Sequence, residues 1–258
     1  MEVSLFPRIL PLLALTLFLS CPELAAAPNR FAEADAILQD PALTVSQAQQ
    51  ALAIYEKLLP ETLADRGALL LRLTRTCVIL GDLLEEDNSA RRPYFEKGQI
   101  YAKLLAMEEP GRAAGPYWLG LNLAGEAASK GIFGGRALLP EILQELRRAL
   151  SIDERYDEAG PHRALGRLYY LIPGPPLGPG DPMKSLDHLT QAVRLAPENS
   201  SNHLFLAQTL MRLGRKEEAR QELAKVLSAP RHALMPKDLE KDRRKAGQLL
   251  ADMDSAIN

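Results

Sequence analysis

Large and small apolar residues recur at helical spacing through most of the chain. The clearest example is the stretch NHLFLAQTLMRLGRKEEARQELAKVL, residues 202–227, in which apolar residues fall on one face of two successive predicted helices and Gly214 separates them. Small residues such as Ala207 and Ala219 on those faces allow two antiparallel helices to pack closely. Alternating β-branched runs do not occur, so we predict an all-α fold.

The same two-helix unit repeats along the chain. Four predicted second helices share their apolar spacing, and three of them end in a proline at the same distance, namely Pro60, Pro110 and Pro197. Leu146 and Ala149 belong to a fifth second helix, which ends at Glu154 instead. The predicted helix pairs span residues 30–60, 61–110, 111–154, 158–197 and 199–229, and an amphipathic helix from Pro236 to about Asp254 caps the stack with its charged side in solvent.

A proline- and glycine-rich stretch, LIPGPPLGPGDPM, interrupts the fourth pair. It has three interpretations: a domain linker, a phosphate-binding loop or an enlarged loop inside one repeat. Proline lacks the backbone N–H that anion-binding loops use, and no Gly-Lys-Ser/Thr follows. Because Tyr169 lies in the first helix and Ser185 in the second helix of one unit, we predict an intra-repeat loop.

These units resemble tetratricopeptide repeats. Leu165, Gly166 and Tyr169 match the L-G-x2-Y part of that signature, and the second helices match its A-x3-F and proline positions. The resemblance implies a helical-repeat superhelix, here with enlarged intra-repeat loops and a C-terminal capping helix. We also predict a capping box at Thr44 and Gln47.

The first residues have the layout of an export signal. An apolar run from Ile9 to Leu19 follows Arg8 and leads to small residues near Ala26, so we predict a signal peptide over residues 1–27 and a helical-repeat domain over residues 28–258. Cleavage near Ala26 gives a soluble periplasmic protein, whereas acylation of Cys21 gives a lipid-anchored one. Both alternatives stay open.

Composition and motifs argue against several classes of function. Lysine and arginine number 31 against 33 acidic residues, with both signs interleaved, so no basic stripe for nucleic acid exists. The four histidines are scattered without metal-ligand spacing, so we expect no metal, no cofactor and no enzyme. We expect structural or solvated histidines and, at Cys77, a buried thiol. The histidines are His162, His188, His203 and His232.

Stacked helix pairs curve, and their first helices line a concave surface suited to binding. In GPYWLGLNL, Tyr117, Trp118 and Asn122 open the first helix of the third pair, although Trp118 is also suited to packing between repeats. Tyr170 points away from the core face and could reach the same groove. Phe133 lies in GIFGG, in the connection between the two helices of the third pair, and either anchors a partner or packs under its own loop.

Longer segments of the sequence resemble a narrower family of proteins. YFEKGQIYAKLLAMEEP, GPYWLGLNLAG and HRALGRLYYLIPGPPLGPGD look like the T-component family of bacterial tripartite ATP-independent periplasmic (TRAP) transporters. That resemblance implies a non-catalytic trimer with a hydrophobic pore that hands a small apolar ligand to a periplasmic solute-binding protein, with Tyr117, Trp118 and Asn122 near the pore.

The alternative function is a general cell-envelope scaffold that binds peptides or protein partners. An apolar pore with one polar anchor would favour the transporter role. A groove lined by Lys, Arg and Asn would favour the scaffold.

Overall fold

The helical pattern of the sequence produces the predicted succession of helices. The computed structural model describes residues 29–60, 64–230 and 236–255, and this part of the chain contains helices, turns and loops but no strand. The predicted signal peptide, with Cys21, and His232 lie outside the described residues. The helices are α1 Ala32–Leu38, α2 Val45–Leu58, α3 Arg66–Leu83, α4 Asn88–Glu108, α5 Ala114–Ser129, α6 Gly131–Gly135, α7 Leu139–Ile152, α8 Tyr156–Leu171, α9 Pro182–Leu195, α10 Ser200–Arg212, α11 Lys216–Ser228 and α12 Pro236–Ser255.

Side-chain caps start several of these helices. At α2 the predicted capping box is present: the Gln47 backbone N–H donates to Thr44 Oγ1 over 3.3 Å, and the Thr44 N–H donates to Gln47 Oε1 over 2.9 Å. Asp87 and Asp181 accept backbone N–H groups at the starts of α4 and α9. Gly214 takes a φ of +77° between α10 and α11, a conformation that favours glycine.

The helices form two layers within the unit that spans Phe31–Asn258. Each first helix packs against the second helix of its own pair, as α3 does against α4 and α8 against α9. First helices of successive pairs also contact one another, in the order α3, α5, α8, α10 and α12. The fold therefore places a continuous row of first helices side by side, which confirms the predicted helical-repeat class.

Two apolar clusters fill the space between the layers. The larger one runs from Phe31 to Leu165, and the smaller one runs from Leu189 to Met253 on α9 to α12. Close packing depends on glycine at one helix crossing, because a Cβ on Gly98 would overlap the side-chain oxygen of Asn122. Asn122 in turn donates to Thr74 Oγ1 over 2.9 Å, in the interior.

The proline-rich stretch is an ordered loop between α8 and α9, as predicted. The Asp181 N–H donates to the Tyr169 carbonyl over 3.1 Å, and the Gly180 N–H donates to the Pro173 carbonyl over 3.0 Å. Both flanking helices pack directly on each other, so the loop does not separate two domains.

A short left-handed turn at the start of α8 was not predicted. Asp157, Glu158 and Ala159 have φ angles of 49°, 54° and 62°, which non-glycine residues rarely adopt in succession. Such a turn persists only where its surroundings hold it. It sits directly before Gly160 and Pro161, where α8 resumes a right-handed course.

Candidate binding groove

The row of first helices lines one large cavity, which we call the inner groove. It encloses about 970 Å³ between α3, α5, α8, α10 and α12. Its apolar lining comes from Val78, Ile79, Trp118, Leu121, Leu168, Leu171 and Phe205. Its charged lining comes from Arg75, Arg163, Arg167, Lys241, Arg244 and Lys245 and from Asp82, Glu85, Asp157, Glu158 and Asp242.

Aromatic side chains of α5 form the deep wall of the inner groove. Tyr117 and Trp118 are 2% and 8% exposed, and each uses its polar atom inside the fold. Trp118 Nε1 donates to Tyr156 Oη over 2.9 Å, and Tyr117 Oη donates to Asp157 Oδ2 over 2.8 Å. Burial raises the pKa of Tyr117 well above its ordinary value and that of Tyr156 to about 12, so both phenols stay neutral.

Arg163 holds the left-handed turn at the edge of this wall. Its Nη2 donates to Asp157 Oδ2 over 2.7 Å and to the Asp157 carbonyl over 3.1 Å, while Nη1 donates to the Glu158 carbonyl over 3.1 Å. Asn202 adds a donor to the Glu158 carbonyl over 3.3 Å. The guanidinium thus satisfies backbone carbonyls that the turn removes from regular helix bonding.

Ion pairs between described residues engage two of the five carboxylates in the lining of the inner groove. Asp157 pairs with Arg163, and Glu85 pairs with Lys241 across 3.1 Å. Asp242 accepts the hydroxyls of Ser200 and Ser201. Among the described residues, four cationic lining residues have no carboxylate at ion-pair distance: Arg75, Arg167, Arg244 and Lys245. The inner groove therefore offers unpaired positive charge to a ligand.

Arg167, one of these unpaired cations, is half-buried among aromatic side chains. Its guanidinium lies 4.6 Å from the centre of the Phe205 ring and 5.1 Å from that of Tyr170, and its Nη1 donates to Gln208 Oε1 over 2.6 Å. Burial lowers the pKa of this arginine from its usual value. A cation kept partly out of water without an anionic partner gains most from an anionic ligand.

The C-terminal helix closes one side of the inner groove. Leu239, Ala246 and Met253 bury one side of α12, and Asp242 docks on the first turn of α10. The opposite side carries Lys241, Arg244, Lys245 and Gln248 into the lining. These four side chains are exposed, as predicted for the charged side of the helix, and they also border the inner groove. Their spacing along one helix face is the sequence signal for this second role.

The predicted binding residues do not converge on one surface. Tyr117 and Trp118 line the inner groove, whereas Asn122 is completely buried beneath it and donates to Thr74 Oγ1 and to the Trp118 carbonyl. Phe133 is 92% exposed on α6, away from the groove lining, so it does not tuck under its loop. Tyr170 is half-buried between the guanidiniums of Arg167 and Arg212 and is not part of the groove lining.

The interior side chains follow the sequence-based predictions in part. Cys77 is fully buried, and burial raises the pKa of its thiol to about 12. His162 and His203 are buried, which corresponds to the structural one of the two expected roles. Among the described residues, no group of three or more His, Cys, Asp or Glu side chains has metal-binding geometry. None of the described helices is both long enough and apolar enough to cross a membrane.

Together these features define an all-α helical-repeat protein with a large, partly cationic groove on its inner helices. The tetratricopeptide repeat family model matches residues 177–234, from the end of the proline-rich loop through α11. The chain is also similar to a crystal structure described as that of a thermophilic TPR protein in Thermus thermophilus. The two are 25% identical with a TM-score of 0.60, over 80% of this chain and 92% of that one.

A search of curated proteins gives no match. The tetratricopeptide character of the fold is thus confirmed, and such folds are scaffolds for protein–protein interaction. The finer resemblance to TRAP T components stays a prediction.

Proposed function

We propose that this protein is a non-catalytic scaffold whose inner groove binds an acidic segment of a protein partner. The observation that carries this proposal is the set of unpaired cations that face the groove, above all the enclosed Arg167. An acidic side chain or a chain-terminal carboxylate would supply the charge that the fold leaves missing, and Arg forms the strongest such hydrogen bonds.

The apolar lining adds a second requirement for the ligand. Trp118, Leu121 and Leu168 lie among the charged lining residues. A partner segment with apolar side chains between its carboxylates would bury those apolar side chains against this wall of the groove. At about 970 Å³ the inner groove lies at the upper end of the range for small-ligand pockets, about 300–1,000 Å³, so its volume accommodates a short peptide segment as well as a small solute. Asn199 and Gln208 supply further polar groups in the lining.

A second candidate function is the accessory role in solute uptake that the T-component resemblance implies. The apolar lining residues Val78, Leu121 and Leu168 favour it, because an apolar small ligand would bind against them. In this role the partner is a periplasmic solute-binding protein, and the protein is exported, soluble or lipid-anchored at Cys21, and trimeric. The cationic lining favours the scaffold role over this one.

Peptide binding tests the first function directly. Fluorescence anisotropy of a labelled Asp/Glu-rich peptide with interspersed leucines should rise on addition of the full chain. The same peptide with Asn and Gln in place of Asp and Glu should bind at least about tenfold more weakly, and added salt should weaken the acidic peptide selectively. Equal affinity for both peptides would refute an anionic specificity.

Site-specific photo-crosslinking then locates the bound partner. Leu171 lines the inner groove and is 60% exposed, while Met107 is 77% exposed on α4 and outside the lining, so the two positions form a matched pair. A photoreactive amino acid at Leu171 should capture a partner that excess acidic peptide displaces, and the same group at Met107 should not. Capture of a solute-binding protein that the acidic peptide leaves unaffected would favour the accessory role.

A further inference from the structure

A second cavity contains two histidines that face each other. It encloses about 580 Å³ between α8–α9 and α10–α11 and shares no lining residue with the inner groove. His162 of α8 and His188 of α9 place their Nδ1 atoms 3.0 Å apart in this cavity, with the rings tilted by 51°. Twenty-six residues of sequence separate them, which explains why their spacing predicts nothing.

The groups around the pair favour a free lone pair on His162 Nδ1. His162 Nε2 lies 3.7 Å from Glu154 Oε2, beyond direct hydrogen-bond distance, and this nearby carboxylate favours a proton on Nε2, which leaves the lone pair on Nδ1. The ring of His188 stacks on that of Tyr169 at 5.8 Å, which fixes its orientation.

Charged side chains of both signs surround the pair of histidines. Arg194 and Arg147 oppose a bound cation at longer range, whereas Glu154 and Asp187 favour one.

We propose that His162 and His188 bind one divalent transition-metal ion of the copper(II) or nickel(II) type through their Nδ1 atoms. With metal–nitrogen bonds of about 2.0–2.1 Å, nitrogens 3.0 Å apart subtend roughly 95° at the ion, which suits neighbouring positions of a square or octahedral centre better than a tetrahedral one. Water completes the coordination, and the Asp187 carboxylate lines the same cavity and offsets part of the charge of the ion without ligating it.

Copper titration of the untagged full chain tests the site. Electron paramagnetic resonance at neutral pH in a non-coordinating buffer should show one Cu²⁺ per chain with two equatorial nitrogens. His162→Gln and His188→Gln should each lower the affinity at least about tenfold and remove one nitrogen signal. His203→Gln is the matched control, because His203 is also buried but engages Glu222 and the Pro197 carbonyl.

Circular dichroism of each variant shows whether it is folded. Should either substitution prevent folding, Glu154→Gln and Asp187→Asn serve instead, and each should weaken Cu²⁺ binding several-fold while leaving two nitrogens on the ion. Absence of a stoichiometric site in the wild-type chain, or full affinity in His162→Gln and His188→Gln, would overturn the proposal. So would loss of the site in His203→Gln alone. The pair would then be a hydrogen-bonded contact between α8 and α9.

Discussion

The left-handed turn at the start of α8 depends on one guanidinium, and Arg163→Met removes it. The substitution keeps the length of the side chain but deletes its hydrogen bonds to the carboxylate of Asp157 and to the carbonyls of Asp157 and Glu158. It also leaves a carboxylate that is only 24% exposed with Tyr117 Oη as its remaining donor. The turn then keeps the Asn202 donor at the Glu158 carbonyl but loses the guanidinium that holds Asp157.

The expected cost follows from the enclosure of this ion pair. The side chain of Arg163 is 15% exposed, so its pair with Asp157 is screened little by water. Removing one member of a buried ion pair costs about 3–5 kcal/mol, because the remaining charge stays buried without compensation. We therefore expect Arg163→Met to lower the free energy of unfolding by about that amount.

Urea unfolding measures this cost with two probes. Far-ultraviolet circular dichroism reports the helices, and the fluorescence of Trp118, the only tryptophan, reports the turn through its contact with Tyr156. Arg66→Met is the control, since Arg66 and Glu108 are 37% and 46% exposed in a 3.0 Å pair and the variant should lose at most about 1 kcal/mol. Arg163→Met/Asp157→Asn should recover part of the loss. Equal losses in Arg163→Met and Arg66→Met would refute the reasoning.

Three further substitutions probe the groove, the capping helix and the core. Arg167→Leu should weaken acidic-peptide binding about tenfold or more while leaving the urea midpoint equal or higher, because it removes a partly desolvated charge; a lowered midpoint would contradict this. Burial raises the pKa of Asp242 in the folded protein. Ionisation of this carboxyl therefore lowers the free energy of unfolding at pH values above the pKa that it has in the unfolded chain, and the loss disappears at lower pH, where both states are protonated. Asp242→Asn should accordingly be more stable than wild type at pH 7 and lose that advantage below about pH 4 in urea titrations. A stability advantage that increases as the pH falls would contradict a raised pKa of Asp242. Gly98→Ala should cost about 1–3 kcal/mol by calorimetry, because its Cβ would meet Asn122 Oδ1; an unchanged melting temperature would show that Asn122 can move away.

Sequence pattern predicts the helices well because each buries a face with a strict period. The five pairs, the capping helix, the Thr44 capping box and the proline-rich loop all depend on residues close in sequence. The turn at Asp157–Ala159 has no such signal, since none of its residues is glycine and its stabilising donor, Arg163, lies on the next turn of the helix.

The candidate sites were less predictable for a different reason. A helical pattern shows which face is buried but not which partner an exposed charge meets. Arg75 and Arg167 become neighbours of one groove only after α3 and α8 stack in the same layer. His162 and His188 meet only because α8 and α9 pack antiparallel across the enlarged loop. Asn122 lies on the predicted helix, but its side chain points into the core, where its amide donates to Thr74 Oγ1.

The ion pair that joins α12 to the rim of the inner groove can be exchanged for one with a bound ligand. The contact between Lys241 and Glu85 joins α12 to the loop after α3, 156 residues earlier in the chain, and both side chains are more than half exposed. Such exposed pairs stabilise little, so a bound segment that displaces Glu85 with its own carboxylate loses almost nothing. Lys241 would then exchange an internal partner for an external one. Because the anchoring of α12 rests on Leu239, Ala246 and Asp242 on its other side, this exchange leaves the cap in place.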